Sequence, residues 1–130
     1  MIVADASAIL DVLLRAPSAA VIERRLFASG ETIHVPHLID VEVLQVLRRY
    51  DRTAETGSIH VEQARQVYLD MRLNRYPHTV LAPRIWELRH NFTAYDAAYI
   101  ALAEALEAPL ITRDRAFAFG SAHRAQILVL

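Results

Sequence analysis

Apolar and polar positions along this chain change period several times, and each change marks an element. Ile2-Val3-Ala4 is a short continuous apolar run ending at an acid, Asp5. From Ser7 the spacing turns helical: Ala8, Ile9, Val12 and Leu13 share a face, and Pro17 stops the pattern. This predicts a buried strand, a turn carrying Asp5, then a helix. A second helix is predicted over 18–29, with Val21, Ile22, Leu26 and Phe27 inward, Glu23, Arg24 and Arg25 outward, and Gly30 at its end. Thr32-Ile33-His34-Val35 reads as a second strand, closed by Pro36.

A third helix is expected over 38–50. Leu38, Val41, Leu44, Val46 and Leu47 supply its apolar positions, Arg48 and Arg49 suit its C-terminal end, and Glu42 lies in its early turns. Residues 53–58 form a polar break with Gly57. A fourth helix follows over about 61–73, with Ala64, Val67, Tyr68 and Met71 inward, and Arg75-Tyr76-Pro77-His78 reads as a turn. Val80, Leu81, Ala82 and Pro83 lead into a short helix holding Ile85, Trp86 and Leu88. From Thr93 to about 107 the residues are small or aliphatic (Ala97, Ala98, Ile100, Ala101, Leu102), so this helix is buried on most sides. Thr93 is its expected N-cap, with Asp96 three residues later as in a capping box. The run 108–112 is a buried strand followed by Arg113 and Asp114. Residues 115–119 are a short turn or helix, and Ile127-Leu128-Val129-Leu130 is a last strand. Strands alternating with helices imply a parallel sheet covered on both faces. No repeat or linker interrupts the pattern, so 1–130 reads as one α/β domain.

Composition narrows the chemistry. The chain has 130 residues, 54% of them hydrophobic, enough for a sizeable core. It has no cysteine, which excludes disulfides and thiolate metal sites. No apolar run approaches the roughly 20 residues of a membrane span. The start lacks a basic leader, so the expected location is cytoplasmic. The net charge of −1 does not announce a nucleic-acid binder. All 14 basic residues are arginine, so any phosphate contact must come from guanidinium forks or backbone amides. The missing lysine weakens a receiver-domain reading and, with glycine only at Gly30, Gly57 and Gly120, removes a P-loop. A dinucleotide fingerprint and a nucleophile elbow are equally absent. A dehalogenase-type phosphatase needs a second acid where Ser7 stands.

Four acids remain. Asp5 and Asp114 each follow a predicted parallel strand, where open α/β sheets bind ligands. Asp96 opens the helix feeding the second of those strands, and Glu42 lies on another helix among apolar neighbours. Each has an ordinary reading: Asp5 as a turn residue, Asp96 and Asp114 as caps, Glu42 as a solvated side chain. Their joint placement is the signal. Converging carboxylates repel unless a cation neutralises them. An all-oxygen site suits a hard cation, Mg²⁺ or Mn²⁺, and phosphodiester cleavage is the chemistry that needs one.

In the stretches Ile2-Val3-Ala4-Asp5-Ala6-Ser7, Pro36-His37-Leu38-Ile39-Asp40-Val41-Glu42-Val43-Leu44, Tyr95-Asp96-Ala97-Ala98-Tyr99-Ile100-Ala101-Leu102-Ala103 and Leu110-Ile111-Thr112-Arg113-Asp114, the chain resembles the PIN-domain ribonucleases, in particular the VapC toxins of type II toxin–antitoxin pairs. Each stretch is weak alone; four in this order span nearly the whole chain. The resemblance implies a PIN-like fold, a central parallel sheet in an α/β/α sandwich. It implies Mg²⁺ or Mn²⁺ held by Asp5, Glu42, Asp96 and Asp114, with Ser7 and Thr112 in support. It also implies an RNA substrate (tRNA, rRNA or mRNA), a homodimer, and a cognate VapB-type antitoxin that inserts a peptide, often with an arginine, at the acidic pocket. Asp40 matches the family's acidic helix position less well than Glu42. Arg115 stands where the family often has a further acid, which limits the site to four. The competing reading is an inactive PIN-like module that binds protein or RNA.

Other residues carry two readings each. Arg113 either touches a phosphate or pairs with a nearby carboxylate. Arg48, Arg49 and Arg52 either guide RNA or form a solvated helix end. Tyr95 and Tyr99 either stack a base or pack in the core. Pro36 separates His34 from His37, which argues against a metal pair. Leu13, Leu14, Val21, Leu44 and Tyr68 are apolar material for an antitoxin groove or a dimer surface.

Overall fold

The continuous apolar runs are strands because they lie between two helical layers, where both faces of each strand are buried. A computed structural model describes residues 1–53, 58–119 and 122–130. The elements are β1 (Ile2–Ala4), α1 (Ala6–Leu13), α2 (Ala19–Leu26), β2 (Ile33–Pro36), α3 (Ile39–Arg52) and α4 (Ser58–Asp70). They continue with β3 (Leu73–Tyr76), α5 (Ala82–Glu87), α6 (Ala94–Leu106), β4 (Leu110–Thr112), a 3₁₀ turn (Arg115–Ala118) and β5 (Ile127–Val129). Most of the expected break at 53–58 lies outside the described residues.

The five strands form one sheet in the order β3-β2-β1-β4-β5, every neighbouring pair parallel. β1 is central, with Val3 opposite both His34 and Leu110. The chain first builds outward through β2 to β3, then returns to the other side of β1 for β4 and β5. Right-handed crossovers therefore set α1–α4 against one face and α5–α6 against the other. Helix α1 packs on α2, α3 and α4, and α6 packs on α5, β1, β2 and β4. This is the expected α/β architecture. The reversal between β1 and β4 is its topological switch point, and Asp5 and Asp114 leave the sheet there.

Helix α6 is buried all round, as its composition predicts: Ala97 through Ala103 are all buried. Its end is a left-handed residue, Glu107, with φ 51°. Three sequence expectations need correction. The first concerns 71–78: helix α4 ends at Asp70, and Leu73–Tyr76 is a fifth strand rather than helix and turn. It pairs with β2 from Ile33↔Leu73 to Pro36↔Tyr76. As an edge strand it is only half covered, so Asn74 and Arg75 are tolerated on it. The second concerns α2, where Ile22 and Leu26, four apart, take the buried stripe and leave Val21 and Phe27 exposed. The third is Val67 of α4, which is exposed while Ala64 and Tyr68 face inward.

Candidate metal-binding acidic site

Asp5 is the N-cap of α1 as well as a candidate ligand, so the turn reading and the site reading describe one residue. Its Oδ1 accepts from the Ala8 amide at 2.9 Å and from the Ser7 hydroxyl at 2.7 Å. Its Oδ2 accepts from the Thr112 hydroxyl. A carboxylate has about four acceptor positions, so one remains, on Oδ2. The same two hydroxyls each take a backbone amide from the loop after β4. Ser7 Oγ accepts from Arg113 N at 3.0 Å, and Thr112 Oγ1 accepts from Asp114 N at 2.9 Å. Ser7 and Thr112, expected as supporting residues, thus lock the exits of β1 and β4 together around Asp5.

Asp96 sits in the first turn of α6, where Thr93 caps the helix by accepting from the Asp96 amide at 3.2 Å. Glu42, in the first turn of α3, accepts from the Tyr99 hydroxyl at 2.6 Å. Asp114 is exposed and caps the 3₁₀ turn, its Oδ1 accepting from Ala116 N at 2.8 Å. The turn reading of Asp5 and the capping reading of Asp114 therefore hold, and the cap on Asp114 engages only its Oδ1.

Electrostatics tie the four together. Burial raises the pKa of Asp5 above the usual carboxylate range, against hydrogen bonds from Thr112, Ser7 and Ala8, and the charge of Asp96 raises it further. Glu42 is raised by burial, opposed by the Tyr99 hydroxyl, and raised again by Asp96 and Asp5. Asp96 is raised by burial and then by Asp114, against the Thr93 hydroxyl. No ion pair reaches any of the four among the described residues.

The donor set fits a hard cation: four carboxylates, all oxygen, without a cationic side chain among them. Among the described residues no three acidic or imidazole groups are already gathered tightly enough to cage a metal. Mg²⁺ does not require such a cage, because it keeps several waters and binds through one or two carboxylates.

Other candidates fall elsewhere. Arg113 pairs through Nε with Asp11 Oδ2 at 2.7 Å, and its Nη1 donates to the Leu130 carbonyl. Arg48, Arg49 and Arg52 are exposed toward the far end of α3. His34 is buried in β2 between Thr32 at 2.8 Å and the Tyr76 hydroxyl at 2.7 Å. Tyr95 is 66% exposed beside Asp96, open enough to stack, whereas Tyr99 is 2% exposed and cannot. The hydroxyl contact of Tyr99 with Glu42 has no signal in the sequence, where the tyrosine reads as core or as a stacking ring.

A family model for the PIN domain matches residues 2–119. A VapC ribonuclease of Mycobacterium bovis is 46% identical over 114 residues, covering 88% of this chain and 86% of that one. Ribonuclease VapC12 of Mycobacterium tuberculosis is 38% identical over 131 residues, covering 98% and 97%. A toxin–antitoxin complex from Klebsiella pneumoniae contains a chain that superposes with a TM-score of 0.69 at 20% identity, covering 98% of this chain and 96% of that one.

Proposed function

We propose that this chain, which belongs to the VapC ribonucleases of the PIN-domain family, is a divalent-metal-dependent endoribonuclease and the toxin of a toxin–antitoxin pair. One observation carries the reading: four carboxylates share the switch point of a parallel sheet without a cationic partner among the described residues. Asp5, Glu42, Asp96 and Asp114 are the residues that would hold Mg²⁺ or Mn²⁺. The chemistry such an ion would supply is activation of a water and neutralisation of charge on the departing oxygen of an RNA phosphodiester. The chain's own part is positional. Ser7 and Thr112 fix the Asp5 carboxylate and the backbone carrying Asp114. For Arg113 to reach a phosphate, its guanidinium would have to leave Asp11.

The partners follow from the family. A cognate VapB-type antitoxin would insert a peptide at the acidic pocket, and another part of it would lie in the groove of about 760 Å³ lined by Val12, Leu13, Leu14, Val61, Ala64 and Val67. Its apolar walls suit the apolar face of such a partner. Exposed Val41 and Leu44 on α3 supply apolar area for a homodimer. No described helix is long and apolar enough to cross a membrane, and the cytoplasm, where RNA is available, is the proposed location.

The test is cleavage of a defined RNA pool with Mg²⁺ or Mn²⁺, wild type against Asp96→Asn. The substitution keeps size and removes charge. Wild-type cutting should require metal and fall at least ~100-fold in the folded variant. Equal cutting by both chains would remove Asp96 from the chemistry. A wild type that binds RNA or antitoxin but neither binds metal nor cuts RNA would make the chain a binding module.

A further inference from the structure

Helix α6 contributes two groups to the acidic site, one turn apart. Asp96 and Tyr99 lie three residues apart and therefore on the same face. The Tyr99 side chain belongs to the hydrophobic core and is 2% exposed, while its hydroxyl donates to Glu42 Oε1 at 2.6 Å. Glu42 is half-buried on a different helix and has three rotatable side-chain bonds. The Tyr99 ring has two, both confined by packing. A fixed donor thus holds a mobile acceptor.

We infer that Tyr99 is a positioning residue for the acidic site: its hydroxyl holds the Glu42 carboxylate in the orientation that meets a divalent cation. The inference rests on the metal-dependent reading above. The bond occupies one acceptor position of Oε1 and leaves Oε2 free. It does for Glu42 what Ser7, Thr112 and the Ala8 amide do for Asp5. Partners that orient ligating carboxylates typically account for 10–100-fold in metal affinity. The molecule contains its own control. Asp40, two residues before Glu42, also accepts from a buried tyrosine, Tyr68, but Arg75 grips it as well, with Nε at 3.0 Å and Nη2 at 2.9 Å. Losing the Tyr68 hydroxyl leaves Asp40 held.

The experiment measures Mn²⁺ uptake by electron paramagnetic resonance of the free ion, on chelator-stripped protein whose melting curves show it folded. Tyr99→Phe should bind about 10–100-fold more weakly. Tyr68→Phe should stay within about twofold of wild type, because its partner is outside the site. Glu42→Asp keeps the charge but draws the carboxylate one methylene away from Tyr99, and should weaken binding as Tyr99→Phe does. Adding Tyr99→Phe to Glu42→Asp or Glu42→Gln should cause no further loss, since the hydroxyl acts through that carboxylate. Normal binding by Tyr99→Phe beside weak binding by Glu42→Gln would overturn the inference. So would a further loss in the double variants, which would make Tyr99 a packing residue alone. Absence of Mn²⁺ uptake by the wild type would defeat the metal-dependent reading itself, an outcome visible before any variant is made.

Discussion

Asp40 and Glu42 leave helix α3 two residues apart and meet opposite surroundings. Asp40 accepts from Tyr68 of α4 and pairs with Arg75 of β3 at 2.9 Å. Burial pushes its pKa up, but the bonds from Arg75 and Tyr68 outweigh that and leave it below the usual range. Glu42 accepts from a tyrosine too, yet its other neighbours are Asp96 and Asp5, and its pKa is raised. Glu104 of α6 repeats the first pattern, with Arg84 at 2.7 Å holding it low. Asp5 and Asp96 repeat the second. What separates the two sets of acids is an arginine partner, present on Asp40 and Glu104 and absent, among the described residues, from Asp5, Glu42 and Asp96. A fold that spends arginine freely on Asp40, Glu104 and Asp11 leaves three adjacent carboxylates uncompensated. Burial and their mutual charge raise the pKa of all three, so a bound cation or proton favours this arrangement.

The comparison is tested most strongly through the hydroxyl frame. Thr112→Val preserves shape but removes the donor to Asp5 Oδ2 and the acceptor for Asp114 N. Thr112 and Asp5 are buried, so the Asp5 carboxylate loses a donor away from solvent, while the Asp114 amide lies in a part-buried position. RNA cleavage should fall about 10–100-fold, and urea denaturation should show a loss of about 1–3 kcal/mol. Full activity with that stability loss would make the frame purely structural.

Asp40→Asn should do the reverse. It breaks the pair with Arg75, whose two side chains are 33% and 40% exposed, so solvent screening limits the loss to about 1 kcal/mol. Cleavage should stay within about threefold of wild type, an allowance for a small structural shift beside Glu42. If cleavage instead falls as far as in Asp96→Asn, the line drawn between the two acids of α3 is wrong.

That line was only half legible in the sequence. β1, β2, β4 and β5 are apolar runs, and a buried parallel strand must be apolar on both faces, so they could be read. β3 could not. It is held by backbone pairing to β2, which leaves no mark on side chains, and Tyr76-Pro77-His78 has the chemistry of a turn. Missing β3 also hid Arg75 as the partner of Asp40, thirty-five residues away. The ranking of Glu42 above Asp40 therefore rested on family resemblance alone, and the physical reason for it appears only in the fold. Asp5 and Asp114 were readable because a strand followed by an acid is a local pattern. Tyr99 was not, because a buried tyrosine in an apolar helix looks like core until the partner of its hydroxyl is known.

The smallest expected effect concerns the pH dependence of the metal-free fold. Folding raises the pKa of Asp5, Glu42 and Asp96 above the unfolded values of about 4. The native state then holds more protons than the unfolded chain in the window above about 4. Stability must fall as pH rises through that window, and the favourable contribution is complete only below it. Asp40 and Glu104, with lowered pKa values, have their contribution in place above about 4 and lose it at more acid pH. His34 complicates the upper window. Burial lowers its pKa, so it adds a slope of opposite sign below about 6.5. It cancels in the difference between wild type and Asp96→Asn, since both chains carry it. That difference, measured by urea denaturation in chelator from pH 4 to 8, should move in favour of Asp96→Asn as pH rises. It should reach about 0.5 kcal/mol, a value discounted because Asp96 is partly open to solvent. The dipole of α6 works against this, since it favours a charged Asp96 in the first turn. The slope therefore decides which effect wins: a difference that moves toward wild type with rising pH would mean the helix end outweighs the other acids. Excess Mg²⁺ should reverse the trend at high pH, because the ion binds the wild-type native state and adds RT ln(1 + [Mg²⁺]/Kd) to its stability.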